Sequence, residues 1–246
     1  MEQVIIANDA LFVADSHWGG SDAHAKKSSK ALLALLDFTN ASQVFLMGDI
    51  AQVLVGNLKK SKDSNYALLE SVRALSERAE VFWFEGNHDF GLRYLDLPNV
   101  RIISRSQQPL LAEFKGKSVS LAHGDLFLNF KYKFYIGALN SSFGLWCVKI
   151  ADILTKGRLY ENLERKILQK KVRDFEVDSQ KCEEFCKKRL LAYEKFFSRK
   201  YCKMPEMTPK IIIEGHFHLD ARFTKGEILY ICLPSFYING SIFALQ

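Results

Sequence analysis

Five short strand-like runs in this chain, at residues 11–14, 44–47, 81–85, 119–122 and 211–214, are each followed at once by a cluster drawn from Asp, His, Asn and Gly. Runs of this length, rich in Val, Ile, Leu and Phe, read as buried strands, so each polar cluster falls at a strand's carboxyl end. The clusters are Asp15-Ser16-His17, Gly48-Asp49, Gly86-Asn87-His88-Asp89, His123-Gly124-Asp125 and Gly215-His216-Phe217-His218, and they hold five of the six histidines. Open α/β sheets place ligands in the crevice outside the carboxyl ends of their strands. The five clusters are therefore expected to meet as one metal site.

Between residues 1 and 125 the strand-like runs alternate with helical patterns at 25–38 and 64–78, where Leu and Ala recur at three- and four-residue steps. Such alternation predicts an α/β layered fold. Strand-like segments resume at 210–214, 228–233 and 241–245, separated by Gly, Pro and Asn. From about 127 to 203 the period is helical, with 161–172 and 181–200 rich in good helix formers, until Met204-Pro205 and Thr208-Pro209 break it. The chain thus reads as a sheet-based domain at 1–125 and 207–246 carrying an inserted, basic helical cap at 126–206.

The insert has 18 Lys or Arg against 10 Asp or Glu, whereas the whole chain is +6, so the sheet-based part is slightly acidic. A basic segment attracts nucleic acid, an anionic bilayer or a phosphorylated substrate, and charge alone does not choose among them. With 246 residues and 48% apolar content the chain can fill a large core and does not read as disordered. Neither a signal-peptide pattern nor an uncharged run of about 20 apolar residues is present, which predicts a cytoplasmic location. Cys147, Cys182, Cys186, Cys202 and Cys232 lack paired Cys-x-x-Cys spacing, so free thiols are expected rather than a disulfide framework or a zinc ribbon.

Asp15 and His17 stand two apart in what reads as an extended strand end, aimed to one side and offering a carboxylate oxygen and an imidazole nitrogen to a cation. Asp49 follows Gly48, whose missing Cβ permits close backbone approach, and its carboxylate is placed to bridge two cations. Asn87, His123 and His216 are assigned to the second cation, and His218 completes the first with Asp15, His17 and Asp49. Two cations roughly 3.5–4 Å apart lower the pKa of a shared water and clamp phosphate oxygens during in-line attack, which favours phosphoester or pyrophosphate hydrolysis. His88 is expected to point away from the cations and act on the leaving oxygen, with Asp89 orienting its ring. Asn87, His88 and His216 are also substrate-binding candidates. Asp125 reads equally as an outer partner of a ligand histidine and as an ordinary turn aspartate. A single histidine is more often a core or surface residue, but five clusters at matching positions reverse those odds. His24, outside every cluster, reads as solvated surface without a role.

Taken in order, Asp15-x-His17, Gly48-Asp49, Gly86-Asn87-His88-Asp89, His123-Gly124-Asp125 and Gly215-His216-x-His218 resemble the signature set of calcineurin-like metallophosphoesterases. The resemblance spans residues 11–218. It implies a β-sandwich flanked by helices, here with an inserted helical cap, and a centre of two divalent ions, Mn first with Fe or Zn as alternatives, held by the residues just assigned. The second Asp of the usual Gly-Asp-x-x-Asp form is absent, and Gln52 stands there. Within the family, the length, Phe90 after the Asn87-His88-Asp89 cluster, and the basic insert look like the UDP-2,3-diacylglucosamine pyrophosphatases of lipid A synthesis. Those enzymes are implied to cleave a UDP-linked diacyl sugar at the membrane surface to UMP and the lipid sugar phosphate. One common branch of that group has Arg where this chain has His88.

Phe127, Phe130, Tyr132, Phe134, Tyr135, Phe143 and Trp146 mix with Asn129, Lys131 and Lys133 soon after His123. Aromatic surface beside cations suits an acylated phosphate ester, and the three polar residues are the cap's candidates for substrate contact. Residues 134–148 are too few and too polar to span a bilayer but fit an interfacial helix, so the expected location is peripheral to the inner face of the cytoplasmic membrane. The same aromatics read equally as packing the cap onto the sheet domain. The expected partner is a lipid-linked nucleotide and not nucleic acid. A nuclease or nucleotide phosphodiesterase whose cap tracks phosphates and a non-catalytic scaffold are the competing readings, and oligomeric state is open.

Overall fold

The computed structural model describes residues 3–169, 178–202 and 208–245. The expected helical continuation over 170–172, the Met204-Pro205 break and the domain boundary at 206/207 lie outside the described residues. Among the described residues twelve strands form: β1 (Val4–Ile5), β2 (Leu11–Val13), β3 (Gln43–Leu46), β4 (Leu54–Val55), β5 (Glu80–Phe84), β6 (Asp89–Phe90), β7 (Val100–Ile103), β8 (Leu110–Phe114), β9 (Lys117–Ala122), β10 (Ile211–Glu214), β11 (Ala221–Lys225) and β12 (Ile228–Cys232). The helices are α1 (Ala23–Phe38), α2 (Lys59–Ser64), α3 (Tyr66–Ser76), α4 (Phe130–Asn140), α5 (Ser142–Leu154), α6 (Arg158–Leu168), α7 (Ser179–Lys200) and α8 (Phe236–Asn239).

A six-stranded sheet runs β1-β8-β9-β10-β12-β11, a four-stranded sheet β2-β3-β5-β7, and β4 pairs with β6 as a separate ribbon. Every pairing in the four-stranded sheet is parallel, as are β9-β10 and β10-β12. Alternation along β3 shows why two sheets form: Phe45 and Met47 face the second sheet with Phe12, Phe82, Val119, Leu121 and Ile213, while Val44 and Leu46 face helices α1 and α3 with Leu32, Leu36, Leu68 and Val72. The register sets Phe12 opposite Phe45 and Phe45 opposite Phe82, and the rings stack at 4.6 Å centroid spacing in both pairs. The result is an α/β sandwich flanked by helices.

The described residues between 126 and 202 divide their packing between two places. Helix α7 lies on the outer face of the six-stranded sheet, where Cys186, Leu190, Tyr193 and Phe197 meet Ile212, Tyr230 and Cys232. Helices α4 to α6 instead pack over the β4-β6 ribbon through Leu145, Tyr160, Val55, Leu58 and Phe90. Asp22, Asn129, Ser141 and Asp178 cap α1, α4, α5 and α7, each accepting a backbone N–H of the first turn. Asn129, a substrate-contact candidate by sequence, serves as a helix cap: its side-chain oxygen takes the Tyr132 N–H. The strand expected at 241–245 reduces to one bridge, Phe243 to Phe12, because only Phe243 reaches the β2 edge with both backbone bonds. All five cysteines are free thiols. Among the described residues no helix is long and apolar enough to cross a membrane.

Phe45 is fully buried in the middle of the three-ring stack. Phe45→Ala is expected to cost about 3–5 kcal/mol through lost burial and the cavity left behind, read from urea unfolding midpoints.

Candidate metal centre

Strands β2, β3, β5, β9 and β10 all end at one edge of the sandwich, and the chain turns sharply as it leaves each. Asp15, His17, Asp49, His216 and His218 have φ of 52°, 47°, 51°, 68° and 57°. This left-handed backbone costs a non-glycine residue about 1–2 kcal/mol, less for Asp, and residues held so cluster where structure serves a site. Asp15 and His17 are therefore not in the extended conformation expected from sequence: β2 stops at Val13, and two left-handed turns aim both side chains inward. Gly48, at φ 91°, is required by space as well, since a Cβ there would lie 2.4 Å from the His123 ring.

Two groups result. Asp15, His17 and His218 bring one donor atom each within 4.8 Å of one another, as do Asp49, His123 and His216. Asn87 stands beside the second group, its Oδ1 3.4 Å from His123 Nε2, and Asp49 Oδ2 lies 3.5 Å from the same nitrogen. Asp15 ties the groups together: Oδ2 accepts the His216 N–H at 2.8 Å, while Oδ1 lies 3.4 Å from His218 Nε2. His123 Nδ1 lies 3.0 Å from the Met47 carbonyl, which orients the ring with Nε2 toward Asp49. His17 is 4% exposed, and neither of its ring nitrogens has a hydrogen-bond partner among the described residues. Buried nitrogens of this kind, beside carboxylates, are what a divalent cation satisfies, and a mixed N and O donor set accepts Mn, Fe or Zn.

His88 lies outside both groups, 5.1 Å ring to ring from His17, with Nδ1 2.8 Å from the Gln52 carbonyl. Its expected partner, Asp89, is corrected. The Asp89 carboxylate is fully buried and accepts the N–H groups of Asp49, Ile50 and Gly86 and the Trp83 indole, so it braces the Gly48-Asp49 turn and does not touch the His88 ring. Of the two readings open for Asp125, the outer partner of a ligand histidine has no contact among the described residues to support it: its carboxylate pairs with Arg105 and accepts the Tyr132 hydroxyl, and the Met47 carbonyl does the orienting of His123. Lys131 is exposed, and Lys133 lines a separate cavity with Arg93, Arg105 and Asn140 instead of the one at the clusters. His24 is exposed and meets the Tyr237 carbonyl.

Sequence reasoning missed the Gln52 carbonyl and the buried Arg189–Glu214 pair behind the last two histidine loops. The Gln52 contact is a backbone one and leaves no side-chain signal. Glu214 left a signal, as a charge closing an otherwise apolar strand.

Burial pushes His17 down to about 4 and His216 down to about 3, so both are neutral and fit to ligate at neutral pH. Burial opposes charge on His123 too, but the Asp49 carboxylate outweighs it and lifts His123 to about 9. Burial likewise would raise Asp49, and the charges of His123 and His88 hold it well below the usual carboxylate range. Asp89 is pushed up to about 7 by burial and then by the Asp49 charge.

Residues 10–220 match the family profile of the calcineurin-like phosphoesterases. No curated protein matches the sequence. Among solved structures, a protein of unknown function from Aquifex aeolicus is similar at 13% identity over 94% of this chain and 91% of its own, with a TM-score of 0.41. Vacuolar protein sorting 29 from Cryptosporidium parvum has 13% identity over 92% of this chain and 73% of its own, TM-score 0.41. An archaeal phosphodiesterase has 12% identity over 94% and 87%, TM-score 0.40.

Near neutral pH the metal-free chain holds His123 as an imidazolium against Asp49, so a divalent ion entering that group is expected to displace about one proton. The measurement is the buffer dependence of the binding heat. Because His123 is raised above its ordinary 6.5, the Asp49 contact stabilises the metal-free fold fully below pH 6.5 and is lost as pH rises through about 9. Metal affinity at this group is expected to climb over the same range.

Proposed function

This chain belongs to the calcineurin-like phosphoesterase family, and on that premise we propose that it is a hydrolase cleaving the pyrophosphate of UDP-2,3-diacylglucosamine to UMP and the lipid sugar phosphate. Two divalent ions, manganese first among the candidates, serve it. One observation carries this reading. A cavity of about 590 Å³ is lined both by His17, Asp49, Asn87, His88, His216 and His218 and by apolar side chains that include Val53, Leu58, Ile136, Leu139, Val148 and Ile167. A pyrophosphate joined to acyl chains needs a charged end and a dry end within one enclosure. A polynucleotide backbone has no use for the apolar half.

In this reading Asp15, His17, His218 and Asp49 hold one ion and Asp49, Asn87, His123 and His216 the other. Divalent ions there would supply Lewis-acid charge to the phosphoryl oxygens and make water a better nucleophile. A water oxygen bonds to one phosphorus, the bridging oxygen leaves with the other, and the water protons pass to products or solvent. With His88 Nδ1 anchored on the Gln52 carbonyl, Nε2 is the ring nitrogen left to meet the leaving phosphoryl oxygen. Asp89 acts at one remove, keeping Asp49 in its turn.

Peripheral attachment to the inner face of the cytoplasmic membrane belongs to the same proposal. Phe130, Phe134, Phe143 and Trp146 on α4 and α5 are 80%, 71%, 73% and 57% exposed, with Lys131, Lys133 and Lys149 also exposed on these helices. These four aromatics therefore do not pack the cap onto the sheet, and aromatic residues among cations suit the surface of an anionic bilayer.

Purified protein with Mn²⁺ is expected to release UMP from the diacyl substrate. Leu139→Trp, which fills the apolar half, is expected to lower turnover of that substrate about tenfold relative to the same UDP-sugar without acyl chains. Cleavage of plain DNA, RNA or cyclic nucleotides with no UMP from the diacyl substrate would assign a nuclease or phosphodiesterase, and a protein that binds no metal would be a scaffold. In liposome flotation the chain is expected to rise with vesicles containing anionic lipid, and Phe134→Ala with Trp146→Ala to release it. Absence of flotation with such vesicles overturns the membrane assignment.

A further inference from the structure

The outer helix α7 carries one charged side chain that reaches under both histidine loops of the second group. Arg189 is 7% exposed and Glu214 fully buried in their side chains. Arg189 Nε and an Nη donate to the two Glu214 carboxylate oxygens at 2.6 Å each, a bidentate pair. The same guanidinium donates to the Gly124 carbonyl at 2.9 Å and to the Leu126 carbonyl at 2.8 Å. Glu214 is completed by the hydroxyls of Tyr193 and Tyr230, each donating at 2.6 Å.

The two ends of this network have the same neighbours. Gly124 directly follows His123, and Glu214 lies two residues before His216. The loops also touch each other, since the Gly215 N–H donates to the His123 carbonyl at 2.7 Å, and a Cβ on Gly124 would lie 2.7 Å from the Gly215 carbonyl oxygen. The first group draws Asp15 and His17 from the β2 turn, which Arg189 does not contact, and only His218 from the β10 loop.

We propose that Arg189 is a positioning residue that fixes the spacing of His123 and His216 and so sets the affinity of the second metal position selectively over the first. The inference rests on the two-ion reading above. It follows from the geometry of a planar fork: a guanidinium binds a carboxylate and two carbonyls at once, at fixed angles, which a lysine ammonium does not reproduce. Outer partners of metal-ligating histidines typically change metal affinity about 10–100-fold when altered. Here the outer partner acts on the backbone that carries the rings.

The test is titration of the metal-stripped full chain with Mn²⁺ alone, followed by the free-ion electron paramagnetic resonance signal. Wild-type protein is expected to take up two ions per chain. Arg189→Lys, which retains the charge opposite Glu214, is expected to keep the first ion at wild-type affinity and to weaken the second about 10–100-fold. Arg189→Met combined with Glu214→Met removes both buried charges and provides a second background for the same comparison, with thermal unfolding as the check on folding. A folded variant that binds both ions as wild type does, or one in which both weaken equally, overturns the inference and leaves the two-ion reading intact. A wild-type chain that binds one ion overturns that reading and the inference together.

Discussion

Two sheets pressed face to face leave little freedom in where their strands end. The stacked rings of Phe12, Phe45 and Phe82 lock the register of three parallel strands, and Val119, Leu121, Ile211 and Ile213 oppose them from the other sheet. A slip of one residue in any of these strands would turn its apolar side chains out of the interior, a change strongly opposed by burial. Parallel pairing then brings the carboxyl ends of neighbouring strands out together. Every residue of the candidate metal centre is the next thing the chain does after leaving a strand fixed in this way.

The second constraint is electrostatic. Asp15, Asp49 and Asp89 are all buried, and isolated buried carboxylates cost several kcal/mol each unless paired or hydrogen-bonded. Asp89 meets this with four donors, Asp15 with the His216 N–H and the nearby His218, and Asp49 with the His88 N–H and His123. Among the buried polar atoms left without a hydrogen-bond partner in the described residues, the two nitrogens of His17 and one oxygen of Asp15 lie together in the first group. The protein carries this deficit where the family uses divalent ions. The sharing of tasks is plain: Asp89 holds the turns, and Asp15 and Asp49 face the centre.

Much of this was legible in the sequence because strand ends are local. A run such as residues 44–47 followed by Gly-Asp announces both a strand and the place where a carboxylate emerges. What could not be read was direction. Asp89 follows His88 directly, which invites pairing the two, yet the β6 strand sends the carboxylate back toward the Asp49 amide and leaves His88 to a backbone carbonyl. Asn129 carried the right chemistry for a ligand contact, but its place before α4 makes it a cap. Arg189 sat in Lys187-Lys188-Arg189, indistinguishable by composition from solvated surface, and only the helical offset to Leu190 and Tyr193 puts it on the buried side. The expected strand at 241–245 failed for lack of a long edge to pair with, which no local pattern reports.

The left-handed turns have a consequence for how such a chain can drift over generations. Five of the proposed ligands occupy backbone that β-branched residues enter only at high cost, whereas Asp, Asn and His tolerate it better. Asp, Asn and His, which can coordinate an ion, are thus among the residues that such turns admit at least cost. Replacements at these positions are screened by conformation before their chemistry is ever exercised. A lineage that gave up catalysis would still meet this filter, so β-branched replacements would stay rare at the ligand positions of an inactive descendant.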